Sequence, residues 1–272
     1  MKPVHPLLIL LILLGISCSD EKKVMVFTST EMFLGVGEDG HLRSITDIPT
    51  GTNYLAPGIK APLLSIKIDS TLYAPTGATW DNNLLTLYFP GEIEARLKVE
   101  EKAGHITFEL TELGPMQDIA LVLWGPYPTT IQETIGETVG VVRGETFALG
   151  IQSLNPKTLG GYPWADNDRM PQFNIFDQED YSDLSEENKG YTLYRVEAAK
   201  PEPFGSVLQA YCRNRFEDRI VSNMKHKNYV SPKYEDNGVI GSKIALFGCP
   251  SEKALETIGK IEIAEDLPHP II

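Results

Sequence analysis

From Val24 to Asn155 the chain is a succession of strand-length segments parted by turn residues, with no helical period between them. EIEARLKVEE (92–101) puts Ile93, Ala95, Leu97 and Val99 on one face, and HITFELTEL (105–113) does the same with Ile106, Phe108 and Leu110. That period of two is the mark of a half-buried strand. VMVFTST (24–30), PLLSIKID (62–69) and NLLTLYFP (83–90) repeat the beat, and Glu38-Asp39-Gly40, Ala103-Gly104 and Arg143-Gly144-Glu145 supply hairpin turns. DIALVLWG (118–125) is a continuous apolar run, as for a strand covered on both faces. Parallel strands need crossover helices, and none fits into 24–155. The pattern predicts an all-β chain of roughly ten strands over this stretch, folded as a large antiparallel β-sandwich.

Two regions break the beat. Residues 155–190 are rich in Asn, Asp, Glu, Gly and Pro, which predicts a long loop, yet Tyr162, Trp164, Phe173 and Phe176 argue against plain disorder. Strands resume at GYTLYRVEAA (190–199) and GSVLQAYCRN (205–214), the second apolar enough to be central, and again at KIALFG (243–248). SEKALETIG (251–259) then predicts one short C-terminal helix, with Ser251 as N-cap, Ala254, Leu255 and Ile258 on one face, and Gly259 at the C-terminal cap. KIEIAEDLPHPII reads as an extended linker. The expected divisions are 1–17, 18–242 and 243–272, the last leading towards a further, catalytic domain.

The first residues carry an export pattern: Lys2, then an apolar run from Leu7 to Leu14 too short to span a bilayer. Leu14-Gly15-Ile16-Ser17-Cys18 resembles a bacterial lipobox, with Cys18 as the lipidated residue. Ser19-Asp20-Glu21 resembles the acidic tag of surface-exported Bacteroidetes lipoproteins. The expected location is the outer membrane or cell surface, with a periplasmic lipoprotein as the alternative and the lipid as the sole membrane contact. The net charge of −13 leaves no basic stripe for nucleic acid. It also disfavours an acidic polysaccharide unless local Arg and Lys outweigh it. Cys212 and Cys249 fit either a disulfide or two buried hydrophobes.

FLGVGEDGHLRSITDIPTGTNYL (33–55), PLLSIKI (62–68), LTLYFPGEIEARLKV (85–99), the block 124–155 and KTLGGYPW (157–164) together resemble the N-terminal β-super-sandwich domain, galactose-mutarotase-like, of bacterial glycoside hydrolases. The resemblance covers most of the mature chain. It implies an accessory domain that binds an oligo- or polysaccharide or braces a catalytic domain in cis, where the catalytic carboxylates of that family sit. No catalytic residue is therefore assigned to this chain.

GGYPWADNDRMPQ (160–172) is the densest concentration of chemistry. Tyr162 and Trp164 could stack on sugar C–H faces, and Asp166, Asn167, Asp168 and Arg169 could hydrogen-bond hydroxyls, with Trp124 and Tyr127 as a second aromatic pair. A calcium site at Asp166 and Asp168 lacks the further ligands and the glycine such a loop needs, so no metal or cofactor is expected. The alternatives are a self-contained epimerase or lyase, the latter resting on Arg213, Arg215, His226 and Tyr229, and a tethered scaffold without catalysis.

Overall fold

A computed structural model describes residues 23–116, 118–163, 172–174, 192–194, 197–223 and 226–268, with backbone alone at 172–174, 192–194, 219–223 and 226–231. Strands are numbered along the chain. A six-stranded sheet has the order β14 (Thr158–Gly160), β18 (Gly205–Arg213), β10 (Ile119–Thr129), β4 (Leu64–Ile68) and β5 (Thr71–Tyr73), with β17 (Ala199–Glu202) also on β18. An eight-stranded sheet runs β11 (Thr134–Gly136), β12 (Val141–Arg143), β13 (Phe147–Ser153), β21 (Lys243–Pro250), β9 (Ile106–Gly114), β8 (Ile93–Glu101), β7 (Leu84–Phe89) and β6 (Gly77–Asp81). A three-stranded sheet holds β1 (Val24–Thr28), β2 (Met32–Gly37) and β3 (Leu42–Asp47). Two separate two-stranded antiparallel sheets pair β15 (Gln172–Asn174) with β16 (Thr192–Tyr194), and β19 (Arg219–Asn223) with β20 (His226–Ser231).

Alternation along the strands explains the layering. On β10, Val122 and Trp124 point into the main core, while Leu121 and Leu123 join Tyr211 on the sheet's other side. On β21, Ile244 and Leu246 face the main core, and Ala245, Phe247 and Cys249 face outward. The main core joins Leu64, Ile66 and Leu208 of the six-stranded sheet to Leu85, Leu97, Phe108 and Leu149 of the eight-stranded one. Phe27, Met32 and Leu34 of the three-stranded sheet enter the same core. Two faces that share one apolar layer make this a β-sandwich, as the strand pattern predicts. β18, buried at all nine positions, is central as expected.

The C-terminal region departs from the sequence reading. The predicted helix begins with a 3₁₀ turn at Ser251–Lys253 and continues as α1 (Ala254–Ala264), straight through Gly259. Ala254 and Ile261 are its buried residues, while Leu255 is 74% exposed. Packing of Ile261 on Phe247 and its neighbours carries the helix past a residue that would otherwise cap it. The segment 260–264 is therefore helix, and β21 lies inside a sheet between β13 and β9. The 155–190 region also holds more structure than a loop, since β14 adds to the six-stranded sheet and β15 pairs with β16. Beyond β18, β19 and β20 pair antiparallel.

Candidate functional site

The β2–β3 hairpin and the segment after it are built by local rules that also shape a cleft. Gly40 sits at φ +76 in the turn, and a Cβ there would lie 2.8 Å from Pro75 Cγ. Only glycine meets both conditions without cost. Asp47 closes the next turn by accepting from the Thr50 hydroxyl (2.6 Å), and Gly51 N donates back to Asp47 O (2.9 Å). Asn53 Oδ1 accepts from the backbone N–H of Ile45 and of Leu55, both at 3.0 Å. These contacts account for Asp47, Thr50, Gly51 and Asn53 in the sequence DIPTGTNYL. The chain then returns beside the hairpin, with Leu42 N donating to Ala61 O and Leu63 N to Gly40 O.

Between hairpin and returning segment lies an open cleft of about 620 Å³, lined by Asp39, His41, Arg43, Asn53, Leu55, Ile59, Lys60 and Pro75 among others. Asp39 is held twice: its Oδ1 accepts from His41 N (3.2 Å), and its Oδ2 accepts from Arg43 Nη2. Burial pushes the His41 imidazole down from its ordinary value, against the pull of Asp39 and a hydrogen bond to the Pro75 backbone. Arg43 and Lys60 push in the same direction as burial. Burial therefore favours the neutral ring, which offers one nitrogen as an acceptor. Asn53, fixed through its oxygen, keeps its two amide donors, and Leu55, Pro57 and Ile59 give the cleft apolar surface.

The residues predicted from sequence are distributed differently. Trp164, Asp166, Asn167, Asp168 and Arg169 lie outside the described residues, as do Cys18 and the side chains of His226 and Tyr229. Tyr162 is half-buried on the outer face of the six-stranded sheet, packed with Leu121, Leu123 and Tyr211, and Lys67 Nζ stands 5.7 Å from its ring centre. Trp124 and Tyr127 require a correction: both are 0% exposed, so neither offers a ring face to a sugar. Trp124 Nε1 donates to Ser242 Oγ at 2.8 Å, and Tyr127 OH donates to Leu63 O at 2.6 Å. Both polar atoms are satisfied inside the core, as buried Trp and Tyr require. Arg213 is buried, and Arg215 lies 5.1 Å from the Tyr234 ring.

Cys212 and Cys249 are free buried thiols, one in each main sheet, and burial pushes Cys212 up to about 12. Among the described residues no cluster of three or more His, Cys, Asp and Glu could hold a metal, and no helix is long and apolar enough to cross a membrane. His41 and Arg43, which flank a turn, are not among the residues expected from the sequence. The available signal was the D-G-H-L-R spacing, which sets Asp39, His41 and Arg43 two apart along a hairpin edge. No family model matches the chain, and no curated protein matches it, so the function is argued from the cleft itself.

Proposed function

We propose that this chain is a carbohydrate-binding β-sandwich of an exported, lipid-anchored protein, and that its glycan lies in the cleft between the β2–β3 hairpin and residues 53–61. The observation that carries this reading is the cleft's make-up: fixed polar groups of Asp39, His41, Arg43 and Asn53 beside the apolar surface of Leu55 and Ile59. Sugars present the same mixture, hydroxyls around the ring edge and C–H groups on its faces. The volume of about 620 Å³ suits a small oligosaccharide rather than a single ion. Lipid anchoring at Cys18 and surface display belong to the same proposal and rest on the sequence at residues 2–21. A catalytic domain in cis would act on the glycan that this domain holds.

Isothermal titration of the full chain with a panel of oligosaccharides tests the proposal. At least one glycan gives saturable heat, and Asn53→Ala or His41→Ala weakens it by about tenfold, the effect of losing one or two directed hydrogen bonds. No heat from any glycan, or heat untouched by both substitutions, refutes the cleft as the site. One observation favours a second reading, mutarotase-like epimerisation: a neutral His41 stands in the cleft beside the Asp39 carboxylate. Polarimetry on fresh α-galactose decides that point, since an epimerase accelerates the approach to equilibrium and a binding domain does not.

A further inference from the structure

We infer that this cleft selects an acidic glycan, one carrying a carboxylate or a sulfate, over a neutral one; the inference rests on the proposal that the cleft binds sugar. Its charge runs against that of the whole protein. The chain carries −13, yet the charged side chains lining the cleft are Arg43, Lys60 and a single acid, Asp39. Both oxygens of Asp39 already accept a bond, one from the His41 N–H and the other from Arg43. Arg43 gives only one terminal nitrogen to that pair, and the remainder of its planar fork carries further donors. Lys60 has no ion-pair partner among the described residues.

The hydrogen-bond inventory points the same way. Among the cleft's side chains, Arg43, Lys60 and the Asn53 amide are donors, while the acceptors are one nitrogen of His41 and the Asp39 oxygens, which already take two bonds. A hydroxyl both gives and takes, so a neutral sugar brings O–H donors for which this side-chain set holds few acceptors. A carboxylate or sulfate only accepts, and a charged acceptor makes the stronger bond with guanidinium and ammonium donors. His41 completes the match by accepting from a neighbouring hydroxyl, a role that an imidazolium could not fill. An acidic substituent with a hydroxyl next to it is the arrangement found on a uronic acid and on many sulfated sugars.

The test compares acidic ligands with a neutral one. The full chain is titrated with an oligogalacturonate, with its methyl ester, and with a sulfated oligosaccharide of the same length. The expected result is that an acidic ligand binds at least about tenfold more tightly than the ester. That preference shrinks as salt rises from about 0.05 to 0.5 M, because the cleft is open and screened. Lys60→Gln, at an exposed position that melting curves can verify as folded, narrows the acid-over-ester ratio several-fold. Which acid binds tighter separates carboxylate from sulfate. Binding of neither acid more tightly than the ester overturns the inference and leaves sugar binding standing. No binding of any of the three, with none from the neutral panel, overturns both.

Discussion

At the residue scale, the decisive distinction is between an aromatic that waits for a ligand and one that the core has already used. Trp124 follows the apolar run of β10, and that run places its indole at 0% exposure with its N–H on Ser242. Ser242 Oγ is shared with Thr158 Oγ1 at 3.0 Å, and Thr158 in turn bonds Asn155 Oδ1 at 2.8 Å. Trp124 thus ties β10 to the 155–158 turn. Trp124→Ala is expected to cost about 3–5 kcal/mol of stability through the cavity it leaves. Trp124→Phe costs less and lowers the melting temperature without changing glycan affinity; a selective loss of affinity at unchanged stability would restore the indole to the binding site. The two thiols behave as core residues by the same logic. With Cys212 pushed to about 12 and Cys249 also raised by burial, a thiol reagent at pH 8 leaves both unmodified in the folded chain and labels both after denaturation.

At the element scale, α1 shows what periodicity alone leaves open. Its sequence holds a glycine five residues before its end and an exposed Leu255, so a local reading stops it early. Besides the packing of Ile261, a long-range ion network anchors its C-terminal end. Glu265 takes Lys243 Nζ at 2.8 Å, His105 Nε2 at 2.8 Å, and Lys102, residues that β21 and the β8–β9 turn supply. No window around 265 encodes those partners, which are 22 to 163 positions away. Burial pushes the Glu265 carboxyl up, but the bonds from Lys102, Lys243 and His105 outweigh it and bring it down to about 2. Its contribution is therefore complete above the ordinary glutamate value of about 4.3 and is lost as the pH falls from there through about 2. His105 is held below its ordinary value, chiefly by burial and further by Lys102 and Lys243, although Glu265 pulls the other way. A depressed histidine contributes stability above about 6.5 that fades below it. Melting temperatures measured from pH 8 to 3 should fall in two stages. Glu265→Gln should abolish the lower stage and cost about 1–3 kcal/mol at pH 7, whereas His105→Gln should flatten the upper one.

The β-sandwich itself was legible because the alternations at 92–101 and 105–113, and the fully apolar 118–125, each dictate one local structure whatever lies elsewhere. The cleft was not, because Asp39, His41 and Arg43 become a site only when residues 53–61 return beside them through the Leu42–Ala61 and Gly40–Leu63 bonds.

At the scale of the whole molecule, the same long-range pairing decides where the folded unit ends. The segment from Lys243 onward looks separable in sequence, yet β21 lies between β13 and β9, in register with Ser153 to Phe147 on one side and Glu109 to Ile106 on the other. Removing it would open two sheet edges in the middle of the sandwich. Ile244, Leu246 and Phe247, each at most 4% exposed, would be lost from both faces of the sheet. At about 1.5–3 kcal/mol for each buried large side chain, these three alone rival the 5–15 kcal/mol that holds a typical domain together. A chain ending at residue 242 is therefore expected to show no cooperative thermal transition. One ending at residue 266 keeps β21, α1 and the Glu265 network and melts in a single step. A chain cut at 242 that still melts cooperatively, with strand content near that of the full chain by circular dichroism, would show that β21 is an addition to the sandwich and not one of its central strands.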